Sequence, residues 1–221
     1  MSDPVKGKTA AGHRREQRAR QTRTRITDAA MRLFVERGFL ATPVDAIAAE
    51  AGVASATVYQ AFGTKQRVLE SALDTTIAGD SSPAPLLDRE WVVDARSHRN
   101  PRARLEAVVL HAAQIAARTA PVKQVMRDAA ATDRRVKRLI EEDHERRRLT
   151  QRALVEFAVG DGELRPGMTI DRAADSFFML VNSHGHELAT EALGWSDSDW
   201  QRWLVEVLTD QLFGGGGGSS G

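Results

Sequence analysis

The sequence predicts an all-α fold in which a small N-terminal head of three short helices precedes a larger helical body. Apolar residues recur every three or four positions through most of the chain, which is the period of an amphipathic helix. No segment shows the strict alternation of apolar and polar residues that is typical of a strand. Near the N-terminus, Gly38 and Gly52 separate three short apolar periods, an arrangement typical of a helix-turn-helix unit.

The composition argues against several classes of protein. Of the 221 residues, 42% are hydrophobic and none is cysteine, so we expect a real core but neither disulfides nor thiolate metal sites. No apolar run approaches the ~18–20 residues that cross a bilayer, and the N-terminus lacks a secretory signal. We therefore expect a cytoplasmic protein without a membrane partner. We expect no enzyme and no cofactor, because no catalytic triad, phosphate loop or dinucleotide fingerprint is present.

The charge is distributed unevenly along the chain. Residues 1–67 carry twelve Lys and Arg against six Asp and Glu, a net charge of +6, which leaves −5 for the remainder of a chain whose total is +1. A basic segment of this kind indicates a polyanionic partner. Charge alone predicts a solvated basic tail equally well.

The N-terminal part divides into an arm and a head. Residues 1–21 lack an apolar period, so we expect a disordered basic arm. The head is predicted over residues 22–82. Thr42 is expected to cap its second helix, with Pro43 in the first turn, and Ser55–Phe62 is predicted to be its third helix.

The body is predicted over residues 83–213, followed by a flexible Gly/Ser tail over 214–221. We expect one helix to end near Thr119 and a new one to start at Pro121. The last two helices are predicted at about 169–193 and 197–213. Helix-capping residues are expected at Asn100, Thr132-Asp133 and Ser196, and Thr169 is expected to start a helix.

The head closely resembles that of the TetR family of transcriptional regulators, in register and without gaps over about residues 22–75. The residues that carry the resemblance are Gly38-Phe39, Thr42, Ile47-Ala48, Ala51-Gly52-Val53, Thr57-Val58-Tyr59, Phe62 and Lys65. The resemblance implies a homodimer that places two recognition helices on a palindromic operator in double-stranded DNA. It also implies repression that ends when a small-molecule effector binds the body. Ala54 stands where the family commonly has a capping serine, so we expect Ser55 to take that role.

The third helix carries the residues that we expect to contact DNA. An amide such as that of Gln60 pairs bidentately with adenine, and the methyl of Thr57 suits thymine. Tyr59 and Lys65 resemble the family's phosphate contacts, which position the protein without reading sequence. The full predicted set is Thr42, Ser55, Ala56, Thr57, Tyr59, Gln60 and Lys65.

Two further sets of residues are predicted in the body. Polar or aromatic positions on apolar helices are candidates for the effector pocket: Trp91, His111, Gln114, Met126, Phe178 and His184. The resemblance implies a dimer interface built from the last two helices, for which we predict Phe178, Trp203, Leu204, Val207 and Leu208.

Metal sites are not expected. Glu141-x-x-His144 has the spacing of a ligand pair, but it lies in a charged helix and a solvated face explains it. His184 and His186 are two apart on a helix and therefore point in different directions. Two rival functions stay open at this point: a helical small-molecule-binding protein without DNA-binding activity, and an enzyme that uses the helical pocket.

Overall fold

The structure is a computed structural model and describes residues 10–79 and 90–214. Within these ranges every regular element is helical, as the sequence predicts. The helices are α1 (Ala10–Arg37), α2 (Val44–Glu50), α3 (Ser55–Phe62), α4 (Lys65–Ala78), α5 (Glu90–Ser97), α6 (Pro101–Ala130), α7 (Arg134–Val159), α8 (Ile170–Leu180), α9 (Ser183–Glu187) and α10 (Asp197–Phe213).

The chain divides into two compact units, Met1–Asp74 and Thr75–Gly221. The boundary that we expected at residue 82 lies outside the described ranges, as does the tail from residue 215 onward. None of the described helices is both long and apolar enough to cross a membrane.

Helix α1 begins earlier than the sequence predicts. It starts at Ala10, so the expected disorder of residues 1–21 is wrong for residues 10–21, and residues 1–9 lie outside the described ranges. Arg, Gln and Glu have good helix propensity, and extending a helix needs no new nucleus. The apolar period starts only at Ile26 because the preceding turns have no core to face; side chains such as Arg18 are exposed there.

The turn between α2 and α3 depends on Gly52, as predicted. This residue adopts φ +64°, a left-handed conformation that glycine takes without steric cost. The amide of Val53 donates to the carbonyl of Ala48 at 2.9 Å, which closes the end of α2. The glycine corner thereby sets the direction in which α3 leaves α2.

Thr42 does not cap α2, contrary to the prediction. Its side chain is fully buried, and its hydroxyl donates to the carbonyl of Gly38 at 2.8 Å. The N-cap position is Pro43, which offers no side-chain cap. Thr42 therefore stabilises the end of α1, because a buried hydroxyl needs a partner and the orphan carbonyls at a helix C-terminus supply one.

The second unit is built around α6, which packs against α7, α9 and α10, while α7 packs against α8. Its core includes a stripe along α10 at spacings of four. That stripe consists of Trp200, Leu204, Leu208 and Leu212.

Helix α6 is continuous, so the predicted break before Pro121 is wrong. Proline cannot donate to the carbonyl of Ala117, which usually weakens a helix. Here one continuous face of the helix is buried on both sides of the proline, for example at Ala116 and Val122. Burial of this face explains why one missing hydrogen bond does not end the helix.

The predicted helix over 169–193 is interrupted in its middle. Helix α8 ends at Leu180, and the side chain of Asn182 then caps α9 by accepting from the amide of Gly185 at 2.9 Å. A Cβ at Gly185 would lie 3.3 Å from the carbonyl oxygen of Leu180, so glycine suits this close approach. Helix α9 continues as one π-helical turn, Leu188–Ala192. The predicted caps are confirmed at Asn100, Asp133 and Ser196, and Thr169 is the N-cap of α8.

Candidate DNA-binding surface and ligand cavity

Helix α3 presents one face to the core of the head and the opposite face to solvent. Val58 and Phe62 lie one turn apart and are buried. Ala56, Tyr59 and Gln60 are exposed, and we call these three residues the exposed face of α3. A short helix held by two apolar side chains can offer its other side to a DNA groove without loss of packing.

Ser55 and Thr57 flank this face and are half-buried. The Ser55 hydroxyl donates to the carboxylate of Asp45 on α2, and the N-cap of α3 is Ala54, which offers no side-chain cap. The expectation that Ser55 caps the helix is therefore wrong. Ser55 instead joins α3 to α2, which fixes the angle between the two helices.

Arg23 is a positioning residue that the sequence analysis missed. Its guanidinium donates to the carbonyl of Ala61 and lies 4.2 Å from the ring centroid of Phe62. Both contacts join α1 to the last turn of α3. In the sequence this arginine contributes only to the general basic charge, because nothing in the local pattern indicates its tertiary partner.

Two of the predicted DNA contacts, Thr42 and Lys65, do not belong to the exposed face of α3. Thr42 is fully buried, so its prediction as a DNA contact is wrong. The ammonium of Lys65 donates to the carbonyls of Phe39 and Thr42 at 2.8 and 3.0 Å, and it lies 4.2 Å from the Phe39 ring centroid. Lys65 thus has a structural role, and its contact with a phosphate stays a prediction.

We expect Lys65→Ala to destabilise the head by about 1–3 kcal/mol, because two buried carbonyls would lose a charged donor. Thermal and urea unfolding measure this effect. Arg67→Ala is the matched control, since Arg67 is exposed and its ion pair with Glu70 is a surface one. Unfolding curves of Lys65→Ala that coincide with those of Arg67→Ala would show that Lys65 has no structural role.

A cavity of about 340 Å³ lies in the second unit, between α6, α7 and the junction of α8 with α9. Its volume is within the range of small-molecule sites. Three of the predicted pocket residues line it: Met126, Phe178 and His184. The cavity also contains charged side chains that the sequence analysis did not select.

One of these charged pairs is buried. Lys123 of α6 donates to Asp143 of α7 at 2.9 Å, and their side chains are only 15% and 8% exposed. Burial lowers the pKa of Lys123, and the carboxylate of Asp143 opposes that shift. The pair crosses the cavity wall and joins the two longest helices of the second unit.

Two arginines complete the charged part of the cavity. Arg127 is paired with Glu187. The Arg147 guanidinium lies 4.0 Å from the ring centroid of Phe178, and burial lowers its pKa. Burial and the charge of Arg147 also lower the pKa of His144, which favours its neutral imidazole.

The remaining predicted pocket residues do not line the cavity. Trp91 stacks on His111 with ring centroids 4.0 Å apart, at a separate place in the second unit. Gln114 is exposed on α6.

The two histidines that follow Ser183 do not act as a pair. His184 and His186 have separate carboxylate partners, Glu187 and Asp197.

The predicted dimer residues fall into two groups. Leu204 and Leu208 are fully buried in the core of their own chain, so their prediction as interface residues is wrong. Trp203 and Val207 lie on a neighbouring face of α10 and are only partly buried, and Phe178 is partly buried beside the cavity. The apolar period of α10 does not by itself show which of two adjacent positions faces inward.

Comparison with known proteins identifies the family. The family model described as "Bacterial regulatory proteins, tetR family" matches residues 26–72, which cover the last part of α1, all of α2 and α3, and the first part of α4. The HTH-type transcriptional regulator YdeS of Bacillus subtilis (strain 168) is 30% identical over 162 residues, 71% of this chain and 74% of YdeS. The chain belongs to the TetR family of transcriptional regulators. Three further curated regulators match over only 29%, 57% and 36% of their own lengths.

Solved structures of bacterial regulators share the fold over most of the chain. The regulator FadR from Bacillus subtilis, in complex with stearoyl-CoA, has a TM-score of 0.66 at 19% identity, covering 86% of this chain and 98% of FadR. NalD, the secondary repressor of the MexAB-OprM multidrug efflux pump in Pseudomonas aeruginosa, has a TM-score of 0.62 at 21% identity, covering 88% and 97%. At these identities the similarity shows the fold alone.

Proposed function

We propose that this TetR-family regulator is a repressor that binds a palindromic operator as a homodimer and leaves it when a small molecule enters the cavity. The exposed face of α3 carries the proposal. Its tyrosine and amide side chains are held outward by buried Val58 and Phe62, within the part of the chain that matches the TetR family model. Such a helix enters the major groove in helix-turn-helix proteins.

The chemistry of this face suits both kinds of DNA contact. The Gln60 amide is exposed and can pair with adenine, while the exposed Tyr59 phenol suits a phosphate oxygen. Arginines in the first half of α1 are exposed and supply the positive charge that attracts the backbone. The affinity of the protein for DNA should therefore depend strongly on the salt concentration.

Dimerisation is proposed through the outward faces of the last helices. Trp203 and Val207 are partly exposed on α10, and Leu188 and Leu193 expose 51% and 64% of their surface. Large apolar side chains left at the surface of the last elements are suited to an interface between copies of the chain. Two copies would supply the two heads that a palindrome requires.

The cavity is the proposed effector site, and the body binds its ligand without transforming it. Its volume and mixed lining fit a small molecule. Release from DNA requires that the ligand bind more tightly to the arrangement that cannot bind DNA than to the one that can. The coupling free energy is typically ~1–3 kcal/mol. NalD is a repressor and FadR was solved with an acyl-CoA, which supports both parts of the proposal by analogy.

Selection of bound sites from random DNA duplexes tests this function. We expect the purified protein to enrich a sequence with two-fold symmetry whose half-sites are about one helical turn apart. Binding without enrichment would contradict sequence-specific regulation. A complete lack of salt-sensitive DNA binding would favour a ligand-binding protein whose head has lost its activity.

A further inference from the structure

The charged groups around the cavity leave one cation without a matching carboxylate. Lys123 is paired with Asp143, and Arg127 is paired with Glu187. Among the described residues, no carboxylate lies within ion-pair distance of Arg147; Asp143 acts on it only at longer range. The opposite charges within each of these two ion pairs cancel, so the cavity carries the net positive charge of Arg147.

The donors of Arg147 are poorly satisfied. A guanidinium has five N–H donors, and among the described residues this one finds a single acceptor, the carbonyl of Val181 at 3.5 Å. Its Nε is buried without a hydrogen-bond partner in the described part of the chain. One face of the group lies against the Phe178 ring, which leaves its edge for an acceptor. A planar donor edge of this kind matches a carboxylate.

The rest of the lining limits what the acceptor is attached to. Met126, Ile140, Phe178 and Met179 give the cavity an apolar wall. A bare inorganic ion would leave this wall in contact with water, whereas an apolar body would cover it. The volume restricts that body to a small one.

We propose that the cavity binds a small carboxylic acid with an apolar body, whose carboxylate pairs with the guanidinium of Arg147. This inference rests on the proposed effector role of the cavity. The acid supplies the acceptor that Arg147 lacks, and its apolar part packs between Phe178 and the α6 side of the wall. The Nε donor of Arg147 is buried without an acceptor among the described residues, and an unpaired buried donor is costly, so the free protein carries that cost until the ligand binds.

Isothermal titration calorimetry of the DNA-free protein tests the proposal, with 3-phenylpropanoate and octanoate as probes and their amides as neutral analogues. We expect saturable binding of an acid, with the matching amide at least about tenfold weaker, because a charged hydrogen bond contributes more than a neutral one. Arg147→Gln should weaken acid binding about tenfold or more and remove the preference over the amide. Arg147→Lys should keep part of that preference.

Arg138→Gln is the control, because Arg138 is an exposed arginine of the same helix and its loss changes the total charge equally. Circular dichroism confirms that each variant is folded; we expect Arg147→Gln to be no less stable than the wild type. Lack of saturable binding by both acids, or unchanged acid affinity in Arg147→Gln, would overturn the proposal.

The acid site and the repressor function can fail separately. Acids that bind in the cavity but do not release the selected operator would leave the site standing and contradict its effector role. Release of the operator by a neutral molecule that competes for the cavity, with no binding of the acids, would support the repressor function and overturn the carboxylate assignment.

Discussion

Val207→Glu should give a folded monomer that has lost tight binding to the full operator. Val207 is only partly buried in its own chain, so a carboxylate there remains hydrated while the protein is monomeric. In the proposed interface the same charge would be buried without a partner, which opposes association. Because a second head raises affinity through effective concentration, we expect operator binding to weaken about a hundredfold to ten-thousandfold.

Sedimentation and circular dichroism separate this effect from unfolding. Gln114→Glu adds the same charge at an exposed position on α6 and should leave the protein dimeric. Leu208→Glu places the charge in the chain's own core and should prevent folding instead. A Val207→Glu protein that stays dimeric, or a wild-type protein that is monomeric at tens of micromolar, would contradict the proposed interface.

Asp143→Asn should destabilise the second unit by about 3–5 kcal/mol, because it leaves the buried ammonium of Lys123 without a counter-charge. Asp175→Asn is the matched control: its partner Arg148 is exposed, and such surface pairs contribute about 0–1 kcal/mol. The double variant Lys123→Met/Asp143→Leu should recover much of the loss, since it removes both buried charges. Urea unfolding at neutral pH measures all three.

The pH dependence of Asp143→Asn has a defined sign. Burial lowers the pKa of Lys123 from its ordinary value of 10.5, so between the folded-state pKa and 10.5 the unfolded chain binds more protons and stability rises with pH. Without the Asp143 carboxylate the folded-state pKa falls further, and this window extends toward neutral pH. The variant should therefore recover stability relative to the wild type as the pH rises from neutrality toward 10.5. A constant difference across that range would show that Lys123 is not the source of the loss.

Local features of the fold were predictable from sequence, whereas the direction in which particular side chains point was not. Glycine corners and helix caps depend on a few adjacent residues, which is why Gly52 and Asn100 were identified correctly. Lys65 acts on the carbonyls of Phe39 and Thr42, which are distant in sequence, so its structural role leaves no local pattern. The break at Asn182 escaped detection because apolar residues continue at helical spacing on both sides of it.

The charged residues of the cavity were missed for a related reason. Asp143 and Arg147 lie in a segment rich in charge, which indicates a solvated helix face. A signal was nevertheless present. Asp143 and Gln151 are buried, and together with half-buried Arg147 they continue the stripe that begins at Val136 and resumes at Leu154. Polar residues at positions where an apolar stripe should continue are candidates for a buried site.

The ratio of affinities for the selected operator and for a scrambled duplex of equal length tests the central claim most directly. At physiological salt we expect the operator to bind about a thousandfold or more tightly than the scrambled DNA. Gln60→Ala should reduce that ratio without unfolding the head. We expect the free-energy preference for the correct base pair at one position of each half-site to fall by about 1–3 kcal/mol. Equal affinities for the two duplexes would contradict the account, because α3 would then attract DNA without reading it.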